Sequence, residues 1–598
     1  MAIDAEKSSF TEDVIIGGLR NKLPVTYLLF TTRGRIARSA YWHSTVLLAC
    51  AFYILYTLLY HLAGLFATWL IYPPFYWCAW AISCKRLHDV GKSGRWLLVA
   101  LIPVLGPLYL AFQLFLRRGQ RDDNRFGPSS RARIDYRKND DGVAHPSGHG
   151  WIINDVTRLN AVTVARVERP ASVEELAELV RTTTGPLSVG GGRFSMGGQT
   201  ACPGSLHLDL RGVNRVIEFS AAEKWIRVQA GIRWCDIQRH IDPHGLSVKI
   251  MQTYANFTVG GALSVNCHGR YVGLGPVILS VRWIRVLLMD GTLVRASATE
   301  NPEIFFGAIG GYSAIGIIVE AELDLADNIP VQLVQKKLTR EEYPAFFRES
   351  IRGRPGAIFH NSDMYPPDFT RLRSVTFFAT SEKPTVKTRL MPLRESYPVH
   401  RYFLWAFMET PFGAWRRENV IDPLLYLGRK ICWRNYEAGY DVMELEPASR
   451  EKNTWVLLEY FVPIARFEEF SRRMSEIFMR HRVKVLNISI RHAIADPGSY
   501  LAWAREEVFA FVVYYKQGTS EVEKGCVAVW TRELIDAVLA NDGTYYLPYQ
   551  PHATLDQFNR AYPGAGKLFA LKDKLDPGFR LRNVLWNKYY SPSTVARP

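Results

Sequence analysis

The stretch Val189-Gly190-Gly191-Gly192-Arg193-Phe194-Ser195-Met196-Gly197-Gly198-Gln199 places five glycines in eleven residues, directly after the apolar run Leu187–Val189. Glycine lets a backbone enter φ > 0 and approach a ligand closely. Successive free N–H groups in such a loop form a concave anion site, and the anion that suits this one is a pyrophosphate. A second stretch, Thr258-Val259-Gly260-Gly261-Ala262-Leu263-Ser264-Val265-Asn266-Cys267-His268-Gly269, offers N–H groups at Gly260 and Gly261 and side-chain donors at Thr258, Ser264 and Asn266. A third, Gly310–Ile318, ends in a β-branched run suited to a strand against a flat ring. The first loop alone is equally compatible with a flexible surface turn. Nor is it the dinucleotide fingerprint, which needs a helix opening at the glycines; Gly197, Gly198 and Gln199 are poor helix openers.

The elements that must position these loops follow from pattern. Ala161–Val167 reads as a strand. Ser172 and Glu175 form a capping box that opens a helix to about Thr183, and Gly185-Pro186 stops it. Leu206–Leu210, Arg215–Phe219 and Trp225–Gln229 read as strands and Ile232–Ile241 as a helix. Val286–Met289 and Thr292–Ala296 flank Asp290-Gly291, a hairpin signal. Further on, Val456–Val462, Val485–Arg491 and Val508–Tyr515 read as strands. Arg466–His481 is an amphipathic helix with Phe467, Phe470, Met474, Ile477 and Phe478 on one face. Trp405–Tyr426 is aromatic and apolar, either core or a membrane-touching patch, with core favoured.

The 598 residues exceed one domain and carry a net charge of +16. No basic helix has base-reading spacing, so nucleic acid is excluded as a partner, and the basic balance points to anionic membrane lipid. The eight cysteines show no CxxC and no regular spacing, which excludes a disulfide framework and a metal site. Tyr41–Cys84 is almost free of charge. At roughly 20 apolar residues per span, Trp42–His61 and Leu62–Ser83 are candidate spans, the second broken by Pro73-Pro74. Trp96–Leu116 is a third, interrupted by Pro103, Gly106 and Pro107. Basic clusters at Arg33–Arg38, Lys85–Arg95 and Arg117–Arg121 flank every end, and three full spans cannot place all three on one side. Either the third segment is re-entrant or one cluster violates the rule. His88-Asp89 is read as a loop-capping Asp beside a snorkelling His rather than an acid/base pair. Gly119–Gly150 is an exposed connector.

Three motifs in order, Arg33–Trp42, Lys85–Gly94 and Asn124–Pro128, resemble the small bacterial membrane family DUF805. The three glycine motifs together resemble the vanillyl-alcohol-oxidase, or PCMH-type, flavoprotein family. That resemblance implies an α+β PCMH-type FAD-binding domain with an antiparallel-sheet cap domain, preceded by an all-α transmembrane domain. The expected order is an N-terminal tail (1–24), a DUF805-like membrane domain (25–130), a linker (131–150), an FAD-binding domain (151–330) and a substrate cap (331–535). A C-terminal return (536–598) completes the flavin site. The family's cofactor positions fall on Val189–Gln199, Thr258–Gly261, Val265–His268 and Ile317. Arg193-Phe194 stands where many relatives carry a flavin-linking His, and Lys249–Thr253 holds no Cys, so the FAD is expected to be non-covalent. The C-terminal motifs around Tyr545–His552 resemble the decaprenylphosphoryl-ribose 2-oxidase branch. Tyr546 matches that branch's flavin-touching tyrosine, and Tyr549 stands at its catalytic lysine. Trp586-Asn587-Lys588 and Ser489-Ile490-Arg491 resemble the Trp-x-Lys and Glu-x-Arg motifs of the aldonolactone oxidases, with the Glu replaced.

Alcohol oxidation needs a proton acceptor near the hydroxyl and a cation near the reduced flavin. Lys588 and Arg491 are the candidate cations; Tyr549, His552 and His492 are candidate proton relays. Cys267 is read as a small buried residue, and His268 as either facing the flavin or structural beside Gly269. The expected function is a membrane-tethered FAD oxidoreductase oxidising an alcohol of a sugar, aldonolactone or lipid-linked sugar, with quinone or oxygen as acceptor. Its expected place is the bacterial inner membrane, multi-pass, with the catalytic part cytoplasmic, where flavin is supplied. The alternatives are a reductase of a sterol or isoprenoid C=C bond and a scaffold that has lost activity.

Overall fold

A computed structural model describes residues 29–117, 119–120, 124, 126, 146–147, 150–393, 407, 410, 412–445, 447 and 450–590. The chain divides into two compact units, one up to Asn139 and one from Asp140. The N-terminal tail, most of the connector and much of the Trp405–Tyr426 stretch before Phe412 lie outside the described residues.

In the first unit, one helix is long and apolar enough to cross a membrane: Ala40–Ala63, 24 residues of mean hydropathy 1.9, none of that window buried. It belongs to the helix Arg38–Ala63, which Gly64 ends at φ 79°. The second expected span is instead Leu65–Thr68, a 3₁₀ turn Trp69–Ile71 and the helix Tyr72–Asp89. Pro73 and Pro74 lie in the first turn of that helix, where a missing N–H costs nothing; they start the helix rather than break it. The third is a 3₁₀ segment Gly94–Leu101, then Leu105–Ala111 and a π turn Phe112–Leu116. Three full spans are therefore not present among the described residues. Asp89 also departs from the loop-capping expectation. It ends a helix, buried, and accepts from Arg86 at 2.6 Å and Arg35 at 3.3 Å. His88 stacks flat on Phe126 at 4.1 Å.

The second unit is built from four sheets. Arg166–Glu168, Leu206–Asp209 and Leu187–Gly190 form a parallel sheet in that spatial order. An antiparallel sheet runs Leu293–Ala296, Val281–Leu287, Ile317–Asp327, Trp225–Gln229, Val216–Ser220, with Leu246–Val248 pairing the far end of Ile317–Asp327. The run Ala161–Val167 is split. Val162–Val164 joins a small sheet with Gly150–Ile153, and Arg166–Glu168 joins the parallel one. The two runs part at Ala165, whose N–H goes to Ser205 O. The helix Val173–Thr182 starts on Ser172, whose hydroxyl accepts from Glu175 N. The Glu175 carboxylate takes the Ala171 N–H at 2.8 Å, so the box closes one residue early.

The largest sheet is antiparallel throughout. Its spatial order is Ile431–Trp433, Pro330–Thr339, Arg371–Ala379, Ala357–Met364, Lys484–Ala493, Val508–Gly518, Asn453–Pro463, Thr544–Tyr545. The helix Phe467–Arg480 buries Phe467, Phe470, Met474, Ile477 and Phe478, the expected face. One apolar core runs through this sheet and the smaller antiparallel one, joining Ile226, Val286 and Ile318 to Phe461 and Phe509. The chain's return is continuous with both halves. Thr544–Tyr545 forms the sheet's edge on the strand Asn453–Pro463, and Leu187 exchanges N–H bonds with Arg580 and Arg582.

Candidate active site

The first glycine loop leaves the parallel strand Leu187–Gly190 and does two jobs. Four of its residues, Val189, Gly191, Ser195 and Gln199, line a cleft. A Cβ on Gly191 would lie 2.3 Å from Thr258 Oγ1, so a glycine is what lets the first two loops close on each other. Its second half also holds other segments, the chain's return among them. Met196 N donates to Pro548 O, Gly198 N to Asp155 at 3.1 Å, and the Gln199 amide to Leu547 O and Tyr549 O. Gly197 N is taken by the Gln199 side chain at 2.9 Å, and the Met196 sulfur accepts from Leu457 N. Phe194 stacks on Phe257 at 4.2 Å.

Arg193, in the left-handed region at φ 57°, does not face the cleft. Its guanidinium meets Asp209 at 3.2 Å, beside Arg169 at 2.8 Å and Arg211 at 2.6 Å. Burial works to raise the Asp209 carboxyl, yet Arg211, Arg193 and Arg169 prevail and hold it well below the ordinary range. Three guanidiniums on one carboxylate leave this end of the parallel sheet positive.

The second glycine stretch opens the short helix Val259–Ser264 directly after Thr258. Gly260 N is already spent on Ala230 O and Val259 N on Ile232 O, which corrects the expectation of a free donor at Gly260. Gly261 is exposed and lines the cleft with Thr258, Gly260, Val265 and Ile317. The Asn266 side chain turns the other way. It donates to Asp496 at 2.6 Å and accepts from Ile278 N. Thr200, Leu210, Ala230, Ser264, Tyr312, Ser313 and Ile318 complete the cleft; sequence reasoning named Ser264 as a donor and the run ending at Ile318 as a strand against a flat ring, and did not single out the others. Tyr312 and Ser313 carried a signal, since they lie between Gly311 and Gly316 and both adopt φ > 0, at 50° and 57°. Leu210 and Ala230 carried none.

Behind Val265 lies a polar cluster under the large sheet. The Tyr546 hydroxyl donates to Val265 O at 2.8 Å, and its ring meets Tyr549 edge-on at 5.8 Å. Tyr549 donates to Glu459 Oε2 at 3.2 Å, and His268 Nε2 lies 2.6 Å from Glu459 Oε1. Burial, then the Glu459 carboxylate, pushes the Tyr549 phenol well above its ordinary value. Arg491 is close enough to favour ionisation of both Tyr254 and Tyr549, and its buried Nε has no partner among the described residues. Glu459 was missed by sequence reasoning. Ser489 and Glu459 both stand in register with Val512. The carboxylate lacking at Ser489 is thus present on the same sheet face two strands away. Cys267 is buried, donates to Gln252, and has its thiol pushed up to about 12 by burial.

The remaining candidates do not join this cluster. Lys588 is on the exposed side of the helix Val584–Tyr589, and its ammonium donates to Pro551 O beside Arg532. His552 is drawn down to about 4 by burial and then by Lys588 and Arg532. His492, one residue past Arg491, points to the opposite sheet face and bonds Glu507 at 2.6 Å.

Two family matches agree with this division. Residues 164–297 match a family described as FAD binding domain, and residues 29–128 match one described as protein of unknown function (DUF805). The chain is similar to cytokinin dehydrogenase 6 of Oryza sativa subsp. japonica, 28% identical over 209 residues, which are 33% of this chain and 40% of the relative. It is similar to alditol oxidase of a Streptomyces species, 30% identical over 167 residues, 27% of this chain and 39% of the relative. L-gulonolactone oxidase of Mus musculus is 27% identical over 445 residues, covering 71% of this chain and 94% of the relative. The chain spans about two fifths of the length of the first curated relatives it matches.

Proposed function

We propose, from the premise that this chain joins a DUF805 domain to an FAD-binding domain, that it is a membrane-tethered FAD-dependent oxidoreductase. Its substrate is an alcohol carbon of a sugar, aldonolactone or lipid-linked sugar. The observation that carries this reading is the meeting of three glycine-rich loops in one cleft, whose Val265 accepts from Tyr546, the ring that packs on Tyr549. The residues present fit a dinucleotide flavin. Gly191 packs directly on Thr258, so main chain rather than side chain faces the ligand, as a pyrophosphate requires. Val189, Gly191, Ser195, Thr258, Gly261 and Val265 would hold the cofactor, without a covalent link since no His stands at Arg193-Phe194. When bound, the flavin supplies the hydride acceptor.

Tyr549 takes the proton of the substrate hydroxyl, and Arg491 supplies positive charge beside the reacting centre. Oxygen or a quinone would serve as the electron acceptor. The apolar helix Ala40–Ala63 supports anchoring in the bacterial inner membrane. Leu105–Leu116, too short for a full span, would enter the membrane as a re-entrant segment, with the catalytic unit on the cytoplasmic side. Relatives named for alditols and gulonolactone support the substrate class.

The test is an absorbance spectrum of the detergent-purified protein, then acid precipitation, then anaerobic bleaching with alditols, aldono-lactones and polyprenyl-phosphate sugars. The expected result is yellow colour that leaves with the supernatant and bleaches with one of these classes. Colour in the pellet overturns the non-covalent assignment. No flavin after FAD is added back overturns the enzyme.

A further inference from the structure

Resting on that reading, we infer that Glu459 is the group to which the substrate's hydroxyl proton is finally delivered, through Tyr549, and that His268 holds it ready.

Three observations lead there. Glu459 is a carboxylate 3% exposed in an otherwise apolar strand, Asn453–Pro463. Burying a carboxylate costs several kcal/mol unless partners satisfy it, so its place needs a reason. Its partners come from two loops that the fold had to bring together. His268 follows the second glycine stretch, 191 positions away in sequence, and Tyr549 sits on the C-terminal return, 90 away. The two carboxylate oxygens are divided between them, Oε1 to His268 and Oε2 to Tyr549.

The proton inventory follows from the donors. His268 Nδ1 lies 3.1 Å from Gly269 O. A carbonyl only accepts, so Nδ1 carries hydrogen. Nε2 at 2.6 Å from Glu459 Oε1 then shares a single proton with it. The carboxylate keeps room for one further proton, on Oε2, the oxygen to which Tyr549 already donates. The other ionisable groups facing Glu459 are Cys267, Tyr312 and Tyr546, from the second loop, the third loop and the return. All are neutral thiols or phenols held high by burial, and none competes for the proton. Tyr549 is itself held protonated by burial and by Glu459, so it can accept a proton only while giving one up.

The step balances. The substrate O–H bond breaks and its proton goes to the Tyr549 oxygen, while the Tyr549 phenolic proton moves to Glu459 Oε2. With a flavin bound to accept it, the substrate C–H pair would leave as hydride, and the carbinol would become a carbonyl. Arg491, beside Tyr549, eases the transient negative charge on the phenol. Glu459 acts through Tyr549 and need not touch the substrate.

The test compares wild type with E459Q, E459D and Y549F, each in detergent with its flavin content measured. Two readouts are taken. One is the low-field proton resonance of the His268–Glu459 hydrogen bond, recorded without substrate. The other is the anaerobic rate of flavin reduction by xylitol and by L-gulono-1,4-lactone, as a function of pH and in D₂O. Expected are a low-field resonance present in wild type and Y549F but lost in E459Q. Reduction is expected to slow about 10²–10⁴-fold in E459Q and Y549F at unchanged flavin content. The wild-type pH limb and solvent isotope effect should vanish in E459Q and partly return in E459D. Reduction of E459Q at the wild-type rate with the wild-type pH profile overturns this proposal alone. Wild-type flavin that neither alcohol nor any of the lipid-linked sugars reduces overturns the oxidoreductase reading, and this proposal with it.

Discussion

At the scale of single residues, the site rests on close backbone approaches and on buried charge. Gly191→Ala would drive a methyl to 2.3 Å from Thr258 Oγ1. Overpacking of this kind costs about 1–3 kcal/mol. The expected outcome is a protein that still folds but loses FAD on gel filtration, measured by the flavin-to-protein absorbance ratio. Asp209 is fully buried with three guanidiniums around it. Removing it leaves uncompensated charge, and Asp209→Asn should destabilise by about 3–5 kcal/mol, read from the urea midpoint. The sign of its pH effect follows from a depressed carboxyl. Its stabilisation is complete above the unfolded value of about 3.9 and is lost as pH falls below that. D209N should therefore show a flatter acid limb below about pH 4 than wild type, in thermal melts across pH. The Arg193 and Glu459 side chains mark what sequence could and could not say. Arg193 stood in the right motif but serves the ion cluster. Glu459 lay in a strand read for its apolar pattern, where a lone carboxylate gave no signal until the fold supplied His268 and Tyr549.

At the scale of elements, periodic patterns were reliable wherever one face alone is buried. The helix Phe467–Arg480 packs all five expected apolar residues inward, and the strands beside it extend the expected runs by up to three residues at an end. Phe470, with no exposure, meets Phe511 and Tyr460. Phe470→Ala should cost about 3–5 kcal/mol, seen as a lower midpoint in chemical denaturation. Pattern failed where an element's role depends on its partner. Ala161–Val167 is one β-forming run, but its two halves join different sheets. Pro73-Pro74 reads as a break in an apolar span, yet proline is equally at home in a first helical turn, and Tyr72–Asp89 uses it so. The buried charges Arg86 and Asp89 at that helix's end are invisible to hydropathy, which counts them as a polar boundary.

At the scale of the whole molecule, the chain consists of two units with separate cores. The second contains all three glycine loops, the large sheet and the return segment that Gln199 and Leu187 hold. Expressed from residue 140 onward, it should retain flavin and alcohol-dependent bleaching without detergent. The full chain should sediment with membranes and resist carbonate extraction. Loss of flavin from the shorter chain, with the full chain yellow, would show that the first unit is needed to build the site.

The sequence by itself determined the two-part organisation, the three loops that meet at the cleft and the face that each amphipathic element buries. These are written in local composition and period, which do not depend on distant partners. Only the tertiary structure decided which loop atoms face the cleft. It spent Gly260 N, the Asn266 amide and half of the first loop on holding other segments. It separated Lys588 from Arg491, and it brought Glu459, His268 and Tyr549 onto one hydrogen-bonded chain. Such contacts join residues 90 to 191 positions apart. What selects them is strand order and register, which no single segment encodes.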